Sequence, residues 1–379
     1  MTGPVPFFSG ARGLRRTWPR FERRLREVTN RGVFTSGPAV AELESAMAQL
    51  TGAAHVVAVA SGTDALILML KAADIGPGDE VIIPDYTFFA TASAVAHVGA
   101  EPVMVDIQPG SYAMDVDRAA AAVTPRTRAI MAVHLFSQMA DVVSLRQLAD
   151  ARGIDLLEDS AEGIGMRVEG RHAGLWGRAG VLSFFPTKTL GALGDAGALL
   201  TDDSGLAERV RRLRHHGQQT DGSYIYEELG WNSRCDELQA AILLARLETL
   251  EEDISRRSRL AALYTEGLAG LAPRLATPWL AAAKQQGEPV FYVYLVETEQ
   301  RDQLVRFLNA KGIGTEIYYP RPLSEQPALT RRSGPRQPTP VAKAASRRAV
   351  ALPLYPDLTE DEVAWVCDVI HQFFEQVQP

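Results

Sequence analysis

The sequence predicts an α/β protein: a large domain on a mostly parallel sheet, residues 1–250, followed by a smaller α+β domain, residues 251–379. Three observations carry that reading. The chain has 379 residues and is 46% hydrophobic, enough for a large core and, at roughly 150 residues per domain, for two domains. Short, nearly continuous apolar runs alternate with helical patterns, as expected of strands covered on both faces. Beyond about residue 250 the strict alternation gives way to long helices and isolated strands.

In order, Leu43 to Leu50 reads as a helix and Ala54 to Ala60 as a short buried strand. Ser61-Gly-Thr-Asp then opens an apolar helix through Ala73. Strand, glycine turn and helix make a geometry in which first-turn amides and the helix dipole face an anion, although Ser61 or Thr63 would cap a helix in the same way. The alternation continues with strands Glu80–Pro84, Glu101–Ile107, Ala129–Leu135 and Ile154–Asp159, separated by helices Phe89–His97, Val116–Val123 and Ser144–Arg152. The apolar run from Ala179 to Phe185 is a further strand, stopped by Pro186, with Lys188 on the glycine-punctuated turn that follows. A returning strand, Ala198–Thr201, and a helix, Gly205–Arg214, lead into an aperiodic segment from His215 to Trp231. A long helix is expected to begin at Asn232 and run to about Leu250. The second unit reads as a helix from Ser255, a strand Val290–Glu297, a helix Gln300–Ala310, a strand Gly314–Tyr318 and a final helix from Thr359, with proline-bearing loops at Pro273–Pro289 and Pro320–Pro340.

Several function classes are disfavoured. A net charge of −7 gives no basic field for nucleic acid, and the arginines between Arg12 and Arg26 read as the solvated face of an N-terminal helix. Two cysteines, Cys235 and Cys367, are too few for a disulfide framework or metal cluster and suit a reducing compartment. The histidines form no metal-ligand pattern, and no metal is expected. No run of the roughly 18 apolar residues that span a bilayer occurs, and Met1–Gly10 lacks signal-peptide features, so a cytoplasmic protein is expected.

In an open parallel sheet, ligands bind beyond the carboxyl ends of the strands. The residues there are Ser61 to Thr63, Asp85 to Phe88, His134, Asp159 to Glu162, and Ser183 to Lys188. One cofactor accounts for most of them. Pyridoxal 5′-phosphate needs a lysine for its aldehyde (Lys188), donors for its phosphate (Gly62, Thr63, Ser183), an acid at its ring nitrogen (Asp159) and a flat group against its face (Phe88). A lysine among Phe184, Phe185 and Leu190 loses hydration, which favours the free amine that forms a Schiff base. His134 reads equally as a buried histidine with both nitrogens satisfied.

Five segments, in order along the chain, resemble the DegT/DnrJ/EryC1/StrS family of sugar aminotransferases: Ala60–Leu66, Glu158-Asp-Ser-Ala-Glu162, Ser183-Phe-Phe-Pro-Thr-Lys188 with Gly194–Ala198, Asn232–Ala241, and Gly314-Thr-Glu-Ile-Tyr-Tyr-Pro320. The resemblance implies a fold type I aminotransferase, catalytic Lys188 and Asp159, and a homodimer with shared active sites in which Asn232 reaches the neighbouring subunit's cofactor phosphate. It also places Glu162 beside the cofactor, and His134, Arg234, Tyr318 and Tyr319 toward the substrate. The implied reaction moves an amino group from an amino acid, L-glutamate in the family, to a keto group of a nucleotide-linked deoxysugar; Gly194-Asp-Ala-Gly resembles members acting at C3 rather than C4. Three positions depart from the pattern: Glu162 replaces a common Gln, Phe136-Ser-Gln138 replaces Tyr-Gly-Gln, and Tyr318 and Ser324 stand where many relatives have histidines. Rival readings are a sugar dehydratase of the same fold, which would carry His in place of Lys188, a nicotinamide oxidoreductase, which would need a G-x-G-x-x-G after the first strand, and a non-catalytic regulator, which would not need Lys188 and Asp159 together.

Overall fold

The structure is a computed structural model that describes residues 3–219, 222–278, 287, 289–330 and 337–377. Its centre is a seven-stranded sheet of β1 (His55–Val59), β2 (Glu80–Pro84), β3 (Glu101–Val105), β4 (Thr127–Val133), β5 (Asp155–Asp159), β8 (Ala179–Ser183) and β9 (Gly197–Thr201), in the order β1-β9-β8-β5-β4-β2-β3. A small hairpin of β6 (Arg167–Val168) and β7 (Arg171–His172) intervenes in the chain. Within the large sheet β9 runs antiparallel to its neighbours β1 and β8, and the remaining pairings are parallel. The carboxyl ends of β1, β4, β5 and β8 therefore share one edge, and β9 begins there, with Gly197 opposite both Val59 and Ser183.

The period of two along each strand sorts its side chains into two layers. Val57, Val59, Val81 and Ile83 face α3 (Gly62–Ala72), α4 (Phe89–His97) and α7 (Ser204–Leu213). On the opposite face, Val56 and Ala58 meet α2 (Pro38–Thr51) and α8 (Glu237–Leu247), and Ile82 and Ile130 meet α5 (Val116–Ala122) and α6 (Val142–Arg152). Burial on both faces is why these strands read as continuous apolar runs.

The C-terminal unit packs α9 (Leu250–Leu268), α10 (Arg301–Ala310) and α13 (Glu360–Gln376) against a two-stranded antiparallel sheet of β10 (Tyr294–Glu297) and β11 (Ala349–Leu352). The short α11 (Pro327–Thr330) and α12 (Pro340–Arg348) connect it back to the large sheet. There Asp85, beyond β2, accepts from Ser324 N–H and Oγ, both at 2.7 Å, and Asp106, beyond β3, accepts from Val341 N–H at 3.1 Å and Ala342 N–H at 2.9 Å at the start of α12.

Three sequence expectations are corrected. The segment Gly314–Tyr318 is not a strand: it makes a single bridge, Glu316 to Ala351, on the edge of β11 away from β10, while Gly314 N–H turns to Val5 and the Tyr318 carbonyl to the Tyr86 hydroxyl. Of Val290–Glu297, only Tyr294–Glu297 is strand; Val290 and Tyr292 donate instead to the carbonyls of Ser137 and Phe136. The helix expected from Asn232 starts at Glu237, since Asp236 is an extended N-cap and Ser233 is tied by its side chain to α3. The N-terminal segment packs on the C-terminal unit: Val5 is buried in its core and exchanges backbone hydrogen bonds with Gly312 at 2.9 Å and Gly314 at 2.8 Å. The arginines of α1 (Gly10–Arg31) are likewise more than a solvated face, because Arg12 pairs with Glu362, and Arg16 with Asp253 and Asp357, across to α9 and the C-terminal unit. The proline-bearing loops are described except for residues 279–286, 288 and 331–336, on which that reading lies outside the described residues.

Candidate active site

At the carboxyl edge of the sheet lies a cavity of about 790 Å³. Its anion-binding end is built by α3. Ser61 is an extended N-cap whose Oγ accepts from Asp64 N–H at 3.0 Å, leaving the first-turn amides of Gly62 and Thr63 without intrahelical partners and toward the cavity. Glycine is required there by close approach: a Cβ on Gly62 would fall 2.8 Å from Ser183 Cβ, and one on Gly197 2.5 Å from the Ser61 carbonyl. The two strand ends and the helix N-terminus thus form a cradle that Cβ atoms would fill.

Asp159 closes β5 and is 5% exposed. Its Oδ2 accepts from Thr91 Oγ1 on α4 at 2.7 Å and its Oδ1 from Ala161 N–H at 3.2 Å, so the carboxylate is fixed on the cavity wall by two donors. Glu158, one residue earlier, points to the other face of the strand, where it accepts from Gly174 N–H at 2.8 Å and Gly177 N–H at 2.6 Å.

Lys188 sits on the turn after β8, which is closed by hydrogen bonds from Lys188 N–H to Phe185 O at 2.8 Å and Ala192 N–H to Phe184 O at 2.7 Å. Its Nζ donates to Glu162 Oε1 at 2.9 Å and stands 4.2 Å from the centre of the Tyr292 ring. Glu162 is held in turn by Phe136 N–H, which donates to Oε2 at 2.7 Å. Tyr292 bonds Thr187 Oγ1 at 2.9 Å, and burial pushes its phenol up to about 12, so the ring beside the lysine is neutral at physiological pH. Burial also raises Tyr318 and Tyr319 above the ordinary tyrosine range, and Tyr86 joins the pair by accepting from Tyr319 N–H at 3.0 Å.

Of the residues singled out in the sequence, Gly62, Thr63, Phe88, His134, Asp159, Glu162, Ser183, Lys188, Tyr318 and Tyr319 line this one cavity. Phe88, at the N-terminus of α4, is 57% exposed at its mouth, with the Tyr319 ring 6.0 Å away. His134 cannot hydrogen-bond a substrate: Ala140 N–H donates to Nδ1 at 3.1 Å, which leaves the proton on Nε2, and Nε2 donates to Glu158 at 2.8 Å. Its ring edge borders the cavity, so that what it offers there is shape rather than a hydrogen bond. Asn232 and Arg234 lie outside the cavity lining of their own chain, Asn232 exposed and Arg234 bonded to His215 Nδ1 at 3.3 Å. Sequence reasoning missed Thr91 and Tyr292. Thr91 had only the weak signal of a hydroxyl in an otherwise small, apolar helix, and Tyr292 had none, being one aromatic in a run read as strand.

A pinned lysine, a fixed carboxylate and a glycine-walled helix N-terminus around one cavity fit pyridoxal 5′-phosphate, and among the described residues no group of His, Cys, Asp and Glu could hold a metal ion. Fold and site define a PLP-dependent enzyme of fold type I. The chain belongs to the DegT/DnrJ/EryC1/StrS aminotransferase family, whose model matches residues 18–371. It is 39% identical over 376 residues to dTDP-3-amino-3,4,6-trideoxy-alpha-D-glucose transaminase of Streptomyces venezuelae, covering 99% of this chain and 98% of that one. It is 38% identical over 371 residues, 98% of each chain, to a protein of Geobacillus stearothermophilus named as a pleiotropic regulatory protein. The crystal structure of S. venezuelae DesV in complex with a ketimine intermediate superposes over the full length of both chains with a TM-score of 0.94 at 39% identity. The protein is an aminotransferase, and pyridoxal 5′-phosphate is its cofactor.

Proposed function

We propose that this enzyme moves an amino group from L-glutamate to the C3 keto group of a nucleotide-linked deoxysugar, in the cytoplasm, as a homodimer with shared active sites. The observation that carries the reading is the Glu162–Lys188 contact at 2.9 Å inside a cavity that also holds Asp159 and the glycine-walled cradle. The S. venezuelae relative named for a 3-amino sugar supports the substrate class and the carbon.

The cofactor, when bound, supplies an aldehyde that condenses with amines and a ring that accepts the electrons of a carbanion. The amides of Gly62 and Thr63 and the Ser183 hydroxyl would hold its phosphate. Asp159, oriented by Thr91 and Ala161, would hold the proton at its ring nitrogen, and a fixed buried carboxylate does so without reorganising during the reaction. Lys188 would hold the aldehyde, and its Nζ, at the cavity wall, would be the base and acid that carries the proton at the substrate carbon. Glu162 and the Tyr292 ring keep that amine at the cavity. Phe88, Tyr318 and Tyr319 give the aromatic walls, with His134 contributing only a ring edge.

Exposed apolar side chains support the dimer. Phe34, Leu193 and Leu238 gather where Glu237 N–H meets the Phe34 carbonyl and Leu193 N–H meets the Gln239 side chain, and Tyr224 and Leu229 are 87% and 90% exposed. Asn232 and Arg234, outside their own cavity, would serve the partner's, Asn232 at the phosphate and Arg234 at the substrate. Two experiments test the reading. Glutamate and a panel of 3-keto and 4-keto nucleotide sugars, with products identified by mass and NMR, should yield a 3-amino sugar; absence of amino transfer to every sugar, from protein that binds the cofactor, would favour a regulatory role. Mixing Asn232→Ala with Lys188→Ala chains should restore activity in heterodimers through the one site that carries neither defect. Confirmed heterodimers without activity would put Asn232 in its own subunit's site.

A further inference from the structure

A second cavity, of about 40 Å³, lies against the lysine turn where α1, α9 and the C-terminal unit meet it. Three polar atoms on its lining residues have no hydrogen-bond partner among the described residues: Thr189 Oγ1, Arg257 Nε and Tyr355 Oη. These residues are 9%, 2% and 1% exposed, and buried polar atoms are nearly always paired. Arg257 is the informative one. Its Nη1 donates to the carbonyls of Tyr292 at 2.9 Å and Leu354 at 2.8 Å, both uncharged, so no acceptor in direct contact neutralises it. The nearby carboxylates are committed elsewhere, since Asp253 and Asp357 both bond Arg16, at 2.5 and 2.9 Å. Burial lowers the Arg257 guanidinium to about 10. Around the cavity Arg16, Arg246 and Arg257 face Asp253 and Asp357, and Lys188 is already paired with Glu162, which leaves one positive charge over.

We propose that this cavity binds a single monovalent anion of the halide class, held by the Nε–H of Arg257 and the hydroxyls of Thr189 and Tyr355. The space admits a particle about the size of a water molecule, which needs at least roughly 10–15 Å³, and excludes carboxylate metabolites. A water could meet the three donors, but only an anion offsets the surplus charge, and burying a cation without such compensation is costly. The occupant ties Thr189, next to the catalytic lysine, to α9 through Arg257 and to the C-terminal unit through Tyr355. The site is thus a clamp on the turn that presents Lys188.

The test uses the cofactor-loaded enzyme and sodium bromide as the probe. A bromide-soaked crystal should give an anomalous peak in this cavity. Thermal melts in sodium bromide or chloride should exceed those in sodium gluconate of equal ionic strength by about 1–3 °C, because a ligand bound only to the folded state stabilises it. Tyr355→Phe removes one donor while keeping the ring, and should cut that halide-specific shift by half or more; Arg257→Met should abolish it if the variant folds. A cavity without an anomalous peak, equal melting in all three salts, or a halide shift that Tyr355→Phe leaves intact would each overturn the proposal.

Discussion

Thr91→Val is the sharpest probe of how Asp159 is held. Valine matches threonine in shape, and Thr91 is fully buried, so the substitution removes a hydroxyl without opening a cavity. The lost bond is the 2.7 Å donation to Asp159 Oδ2, leaving the longer 3.2 Å donation from Ala161 N–H to Oδ1. A hydrogen bond to a charged group contributes about 1.5–3 kcal/mol. At about 1.4 kcal/mol per factor of ten, that is a loss of roughly 10- to 150-fold in the property the carboxylate's position controls. Thr87 Oγ1, 3.2 Å from the Thr91 hydroxyl, also loses its neighbour, which adds a stability cost of about 1 kcal/mol. Cofactor affinity by absorbance titration and kcat/KM for amino transfer should fall together, and Thr91→Ser, which keeps the hydroxyl, should recover most of both. Affinity and turnover within twofold of wild type in Thr91→Val would refute the claim that this hydroxyl orients Asp159.

Lys188→Ala should abolish transamination while the protein still folds, checked by circular dichroism and turnover; measurable sustained turnover would remove Lys188 from the proton path. Asp159→Asn keeps the shape and loses the charge, so turnover should fall by about 10²–10³-fold or more with cofactor still bound. His172 is held neutral, lowered to about 4 chiefly by burial, with Nδ1–H donating to Ala173 O at 2.5 Å and Nε2 accepting from Gly165 N–H at 2.9 Å. Because its folded value lies below the unfolded one near 6.5, its contribution is complete above pH 6.5 and is lost as pH falls toward 4, about 3 kcal/mol in all. Urea midpoints across that window should fall less steeply in His172→Gln. Asp106→Ala removes the acceptor at the start of α12 and should cost about 1–2 kcal/mol, with faster proteolysis of residues 337–348 as the local readout.

The sequence by itself determined the order and kind of most elements around the large sheet, because strands buried on both faces and a helix begun by Ser61 follow from local pattern and capping. It also determined the chemistry, since residues at strand ends share one edge of a parallel sheet however the helices pack. What only the tertiary structure decided are the partnerships between distant segments. Thr91 meets Asp159, and Tyr292 meets Lys188, through layers separated by 68 and about 100 residues, and no local periodicity encodes such a meeting. The strand expected at Gly314–Tyr318 is reduced to one bridge, Glu316 to Ala351, because the backbone at its two ends is taken by distant partners, Gly314 N–H by the Val5 carbonyl and the Tyr318 carbonyl by the Tyr86 hydroxyl. Likewise, both nitrogens of His134 are satisfied by Glu158 and the Ala140 amide, partners that only the fold brings together.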